Sequence, residues 1–208
     1  MTIGNTATIT GQRFATLRTA PMTATKFGSN EPIIITMLMT PDMANFSGNV
    51  HGGNLLKILD QVAYTCAARY SGKYAVTLSV DQVHFKEAIK IGELVTFYSS
   101  VNYVGKTSME VGVKVVAEDI QTHQKRHTNS CYFTMVAVDE HGKPTQVPPL
   151  DFKGHHQKGR YIAAKLRKEL RLEHKRRLEE VHREWVKNYD TLSEAEIDAE
   201  FQKVYAPR

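Results

Sequence analysis

One amphipathic helix signal followed by four consecutive strand signals limits the folds open to this chain. Over residues 53–70, Leu55, Leu56, Leu59, Val62, Ala63 and Cys66 recur every three or four positions, so a helix there presents one broad apolar face. Ala63, Ala67 and Ala68 suit close packing, and Gly72 is placed to end the helix. Before it, residues 32–39 (PIIITMLM) are a short apolar run led by proline, the pattern of a buried strand. After it come strand signals at Tyr74–Phe85, Leu94–Val104, Ser108–Ala117 and Asn129–Val138. Turn signals separate them at Ile91-Gly92-Glu93, at Gly105-Lys106 and along Asp119–Arg126. One helix with consecutive, mostly antiparallel strands is an α+β arrangement.

The chemistry concentrates where the helix begins. Residues 45–60, NFSGNVHGGNLLKILD, bring together Asn45, His51, Gly52, Gly53 and Asp60. The glycines let a ligand approach the backbone. The first helical turn offers N–H groups and a partial positive charge to an oxygen. Asp60 lies seven residues past Gly53, about two turns of ~3.6 residues, on roughly the same face. Hydrolysis of a carbonyl compound needs donors for the developing oxyanion and a group that activates or replaces water. Each residue also has a plainer reading. Asp60 can be a surface carboxylate paired with Lys57, and Asn45 can close an Asx-turn. His51 suits positioning better than base catalysis, and Asn49 suits fixing the loop.

The stretch NVHGGNLLKILD, led by Pro41-Asp42-Met43-Ala44-Asn45 and followed by VTLSVDQVHFKEAIKIGELVTFYSSVNYVGKTSMEVGVKV, resembles the hotdog-fold acyl-CoA thioesterases. The likeness runs over residues 32–150 and is strongest to bacterial single-hotdog enzymes and to cytosolic and brain acyl-CoA hydrolases. It implies a long antiparallel sheet wrapped around the central helix and hydrolysis of acyl-CoA to free fatty acid and CoA. It implies Asp60 as base or nucleophile and Asn45 as holder of the water or thioester. It also implies a site split between subunits, so at least a homodimer, and commonly a hexamer built as a trimer of dimers. The backbone at Gly52 and Gly53 becomes the oxyanion-site candidate, with His51 orienting it. Gly105, Lys106, Thr107 and Ser108 match a hairpin that contacts CoA, and Phe85, Lys86 and Arg126 are further candidates. CoA is part of substrate and product, and no cofactor is expected.

Composition sets the remaining bounds. No apolar run approaches the ~20 residues of a membrane span. Cys66 and Cys131 are far apart in apolar segments, which suits buried free thiols in a cytoplasmic protein, and no Cys/His spacing suggests a metal site. Residues 1–31 read as a flexible leader, Thr-rich and mildly transit-peptide-like, residues 32–152 as the hotdog domain, and residues 153–208 as a helical extension. That extension holds 14 Lys and Arg against 10 Asp and Glu, or +4 of the net +5. The interleaving suits a solvated helix face better than a nucleic-acid surface. Ser193 with Glu196 signals a capping box for a last helix reaching about Val204. The Val104-Gly105-Lys106-Thr107 run lacks the rest of a phosphate loop.

Two other functions are open to such a chain. One is a non-catalytic acyl-CoA sensor. The other is a hotdog dehydratase or hydratase pairing His51 with Asp60, against which Gly-Gly-Asn follows the histidine in place of a proline-rich loop.

Overall fold

The computed structural model describes residues 28–187 and 189–204. The leader expected over residues 1–31 therefore lies, as far as residue 27, outside the described residues.

Five strands form one antiparallel sheet in the order β1-β3-β4-β5-β2. They are β1 (Ile33–Leu38), β2 (Tyr74–Val80), β3 (Leu94–Val104), β4 (Ser108–Glu118) and β5 (Lys125–Val138). The helix α1 (Gly52–Ser71) contacts β2, β3, β4 and β5 from the inside of the curled sheet. Gly72 terminates it in the left-handed conformation, at φ 65°, as glycine there does most easily. Alternation along the strands turns Val95, Phe97, Val111, Val113, Phe133 and Met135 inward against Leu55, Leu59, Val62 and Ala63, all buried. The hotdog architecture implied by the resemblance is what the chain adopts.

Two strand limits differ from the pattern. β2 stops at Val80, short of Phe85. A bulge falls between Thr77 and Ser79, and past Val80 the carboxylate of Asp81 is drawn to Arg171, 2.8 Å away. Residues 82–88 then run without regular pairing and carry Phe85. β5 begins at Lys125, so the polar link shrinks to a turn in which Asp119 Oδ1 accepts the Gln121 and Thr122 N–H groups.

Beyond the sheet lie α2 (His155–Val181) and α3 (Glu194–Val204). The Glu196 carboxylate accepts both the N–H and the hydroxyl of Ser193 ahead of α3, at 2.9 and 2.7 Å. The solvated face expected for the extension is only partly observed. Arg167 and Arg171 of α2 turn toward the outer face of the sheet and meet Glu110 of β4, 2 % exposed, at 2.6 and 3.0 Å. Arg167 also lies 3.6 Å from the centre of the Tyr132 ring. Charge pairs separated by more than fifty residues leave no local periodic trace, so the pattern of α2 alone gave only its helicity.

Candidate active site

His51 caps α1: its Nδ1 accepts the Gly53 N–H at 2.9 Å, and its own N–H donates to Met43 O at 2.8 Å. A side chain at Gly53 would crowd the imidazole, with its Cβ 3.0 Å from Nδ1. The positioning reading of His51 therefore has a geometric basis. It also withdraws the Gly53 N–H from the oxyanion donors. The N–H groups of Gly52 and Asn54 have no acceptor among the described residues, as is usual in a first helical turn. The ring of Phe85 rests beside Gly52, where a Cβ would lie 3.6 Å from it. Asn45, Asn49, Gly52, Leu55, Phe85 and Ile89 line a cavity of about 320 Å³ at this point.

Asn45 does close an Asx-turn, since its Oδ1 accepts the N–H groups of Ser47 and Asn49 at 2.9 and 3.1 Å. That fixes the amide by its oxygen. Its NH₂ has no partner among the described residues and is available as a donor at the cavity.

Asp60 is exposed on α1, and its Oδ1 accepts the Thr77 hydroxyl at 2.6 Å. No ion pair to Lys57 forms among the described residues, so the surface-pair reading has no support here. Thr77 follows the inward Ala75 by two on β2, which aims it at α1. Sequence reasoning missed it; a threonine on the inward register of an apolar strand facing a helix carboxylate was the available signal. Asp60 stands eight residues from Gly52, about 12 Å along the helix at ~1.5 Å per residue. One chain therefore does not bring Asp60 to the cavity of Asn45 and Phe85.

The hairpin between β3 and β4 forms a separate group. Gly105 N–H donates to Ser108 O at 2.7 Å, and the Thr107 and Lys106 carbonyls accept from Ala137 and Val147. Gly105 and Lys106 line a cavity of about 400 Å³ with Val147, Leu150, Phe152 and Tyr161. The Lys106 and Lys86 side chains are exposed. Arg126, the last of the candidate CoA contacts, is held by neighbours in its own chain. Its Nη2 donates to both carboxylate oxygens of Glu93, at 2.8 and 2.6 Å, and to Ala88 O at 2.8 Å. Glu93 is 6 % exposed, so the guanidinium is neutralised and holds the 87–93 segment in place.

Burial pushes the Cys66 thiol up to about 11 and the Cys131 thiol to about 12. Both stay protonated and weakly nucleophilic at neutral pH. Among the described residues no cluster of three or more His, Cys, Asp or Glu could hold a metal ion, and no helix is long and apolar enough to cross a membrane.

Residues 47–123 match the Thioesterase superfamily. Protein VdlD of Helicobacter pylori is 54% identical over 139 residues, covering 67% of this chain and 79% of that protein. An uncharacterized acyl-CoA thioester hydrolase of Bacillus subtilis is 35% identical over 124 residues, 60% of this chain and 72% of that one. Among solved structures, an apo-hexameric acyl-CoA thioesterase superposes with a TM-score of 0.68 at 34% identity, over 72% of this chain and 96% of that chain. An acyl-CoA hydrolase of Staphylococcus aureus, solved with butyryl-CoA and CoA, gives 0.65 at 30% identity, over 75% and 98%. That enzyme was also solved as alanine variants of an Asn, an Asp and a Thr spaced 15 and 17 apart in its chain. Asn45, Asp60 and Thr77 have the same spacing, 60 − 45 = 15 and 77 − 60 = 17.

Proposed function

We propose that this chain, which belongs to the acyl-CoA thioester hydrolases of the thioesterase superfamily, cleaves fatty acyl-CoA to free fatty acid and CoA with Asp60 and Asn45 drawn from opposite subunits. The observation that carries the residue assignment is the Thr77 hydroxyl on Asp60 Oδ1 at 2.6 Å. It leaves the second carboxylate oxygen for a water. The matching spacing of Asn45, Asp60 and Thr77 to the substituted residues of the S. aureus enzyme supports the same assignment.

In this reading the thioester carbonyl oxygen lies at the start of α1, against the Gly52 and Asn54 N–H groups. There the helix dipole and the donors stabilise negative charge. His51 keeps the first turn in place through the Gly53 N–H. Asp60 of the other subunit takes a proton from water as the oxygen attacks the carbonyl carbon, and the Asn45 NH₂ orients that water. The tetrahedral oxyanion collapses, the carbon–sulfur bond breaks, and the proton held by Asp60 goes to the departing CoA thiolate. Direct attack by Asp60 through an anhydride is the other route, and it uses the same residues. Thioesters are activated enough that this scheme calls on no cofactor.

CoA runs along the Gly105–Ser108 hairpin, where Lys106 can meet a phosphate as a point charge. The free edge of β2 presents Tyr74, Val76, Leu78 and Val80, each at least 41 % exposed, which supports pairing with a second copy. A hexamer is the assembly we assign, supported by the hexameric state of a structural neighbour. The two unpaired buried cysteines support a cytoplasmic setting.

The test is thiol release from acyl-CoAs of short, medium and long chain, with wild type beside Asp60→Ala. Wild type should turn over at least one member, and the variant should lose on the order of 10²–10⁴-fold in kcat while still binding CoA. An Asp60→Ala enzyme with most of its activity contradicts the assignment.

A further inference from the structure

We infer that the outer face of the sheet carries a second site, for a phosphate-bearing anion, away from the α1 cavity. It is a cavity of about 300 Å³ between Arg160, in the second turn of α2, and residues of β3, β4 and β5. Tyr98, Asn102, Lys114, Ser130, Tyr132 and Arg160 give it its chemistry. Lys114 stands opposite Tyr98 on β3 and opposite Ser130 on β5, so three strands deliver its polar walls side by side.

The charges of this cavity are unbalanced. It is lined by two cations and by no carboxylate. Neither Lys114 nor Arg160 has an ion-pair partner among the described residues. Arg160 Nε is buried without a hydrogen bond, and a buried charged donor left unpaired costs free energy. Asn102, only 4 % exposed, uses its Oδ1 to accept from Ser100 at 3.1 Å. That leaves its NH₂ without a partner among the described residues. This amide sits in the notch left by Gly112, where any side chain would overlap it. Guanidinium, ammonium, amide and hydroxyl donors thus meet in one place with no acid to take them up.

Two other arginines of α2 on the same face give the contrast. Arg167 and Arg171 are each neutralised by a carboxylate of the sheet side, Arg167 by Glu110 and Arg171 by Glu110 and Asp81. A phosphate group supplies what the cavity lacks: several acceptor oxygens and more than one negative charge, which the planar fork of arginine suits. The volume and the two tyrosine rings leave room for an organic substituent on that phosphate. The phosphate can belong to a free metabolite or to CoA held by a neighbouring subunit.

The experiment is a thermal-shift titration of the full chain with inorganic phosphate, at constant ionic strength against chloride and acetate. Wild type should show a saturable rise in Tm with phosphate alone. Arg160→Gln and Lys114→Gln should each weaken the apparent affinity at least tenfold, with Tm in the absence of phosphate unchanged. No rise beyond chloride, an equal rise with acetate, or variants that respond as wild type does would overturn the proposal. Given phosphate binding, KM separates the two sources. A KM raised by Arg160→Gln for acyl-CoA, with KM for its 3′-dephospho analogue unchanged, identifies the phosphate of CoA. Both KM values unchanged identify a free phosphate compound.

Discussion

The two faces of the sheet hold their helices by different physics. On the inner face α1 is seated by side chains with no polar partner to find: Leu59, Phe97 and Val111 are fully buried, and Val62 nearly so. On the outer face α2 is seated by aimed charges. Arg167 and Arg171 reach Glu110, Arg171 reaches Asp81, and Lys168 donates to the Tyr103 hydroxyl at 3.2 Å. Apolar burial is non-directional and scales with area. A buried ion pair is directional, and losing one partner strands the other. The difference suits the two tasks. α1 carries the candidate catalytic groups at its start and at Asp60 and needs a rigid seat. α2 is a strap whose Arg171–Asp81 pair fixes the point where β2 gives way to the segment carrying Phe85.

Breaking each seat in turn sharpens the contrast. Leu59→Ala should have the largest effect on stability, about 2–5 kcal/mol for a fully buried leucine, read from urea unfolding and insensitive to salt. A loss under about 1 kcal/mol would mean that the inner face tolerates looser packing than its burial implies. Arg167→Gln leaves Glu110 half-neutralised and should cost less, about 1–3 kcal/mol. Hydrogen exchange should then rise along α2 while α1 keeps its protection. Equal loss of protection in both helices would erase the distinction between the faces.

A third test moves pH rather than a side chain. Burial, and secondarily the Asp151 charge, raise the Tyr70 phenol to about 12, while burial raises Cys66 to about 11 and Cys131 to about 12. In each the folded value lies above the group's ordinary one, 10.0 for Tyr70 and 9.0 for the thiols. The stability they contribute is therefore intact below about pH 9 and lost as pH climbs from there to about 12. Circular dichroism at rising pH should show unfolding in that window. A native protein whose thiols react quickly with a thiol dye at neutral pH would contradict the burial of both cysteines.

Legibility in the sequence follows the range of the forces. The 3- and 4-residue spacing of Leu55, Leu59 and Val62, with Gly72 behind them, placed α1 almost to the residue, and alternation placed β3 at Leu94–Val104. Ser193 and Glu196, three apart, announced the start of α3. What escaped depends on partners far along the chain. Arg167 meets Glu110 across 57 positions, Thr77 meets Asp60 across 17, and Arg126 meets Glu93 across 33. None of these leaves a local pattern. A lone arginine looks the same in sequence whether it awaits a phosphate or is already spent on a buried glutamate. The candidate site was legible where it is local, from Asn45 to Gly53, and the Asp60 partner Thr77 was not.

The central claim is that Asn45 and Asp60 act across a subunit interface. Its most direct test is co-expression of an Asn45→Ala chain and an Asp60→Ala chain carrying different tags, followed by thiol-release assay of the oligomers holding both. Each variant alone should be nearly inactive. Random pairing should restore about a quarter of wild-type activity, since half the dimers are mixed and each mixed dimer has one intact site of two. Mixed oligomers as inactive as either parent would contradict a split site and return both residues to a single chain.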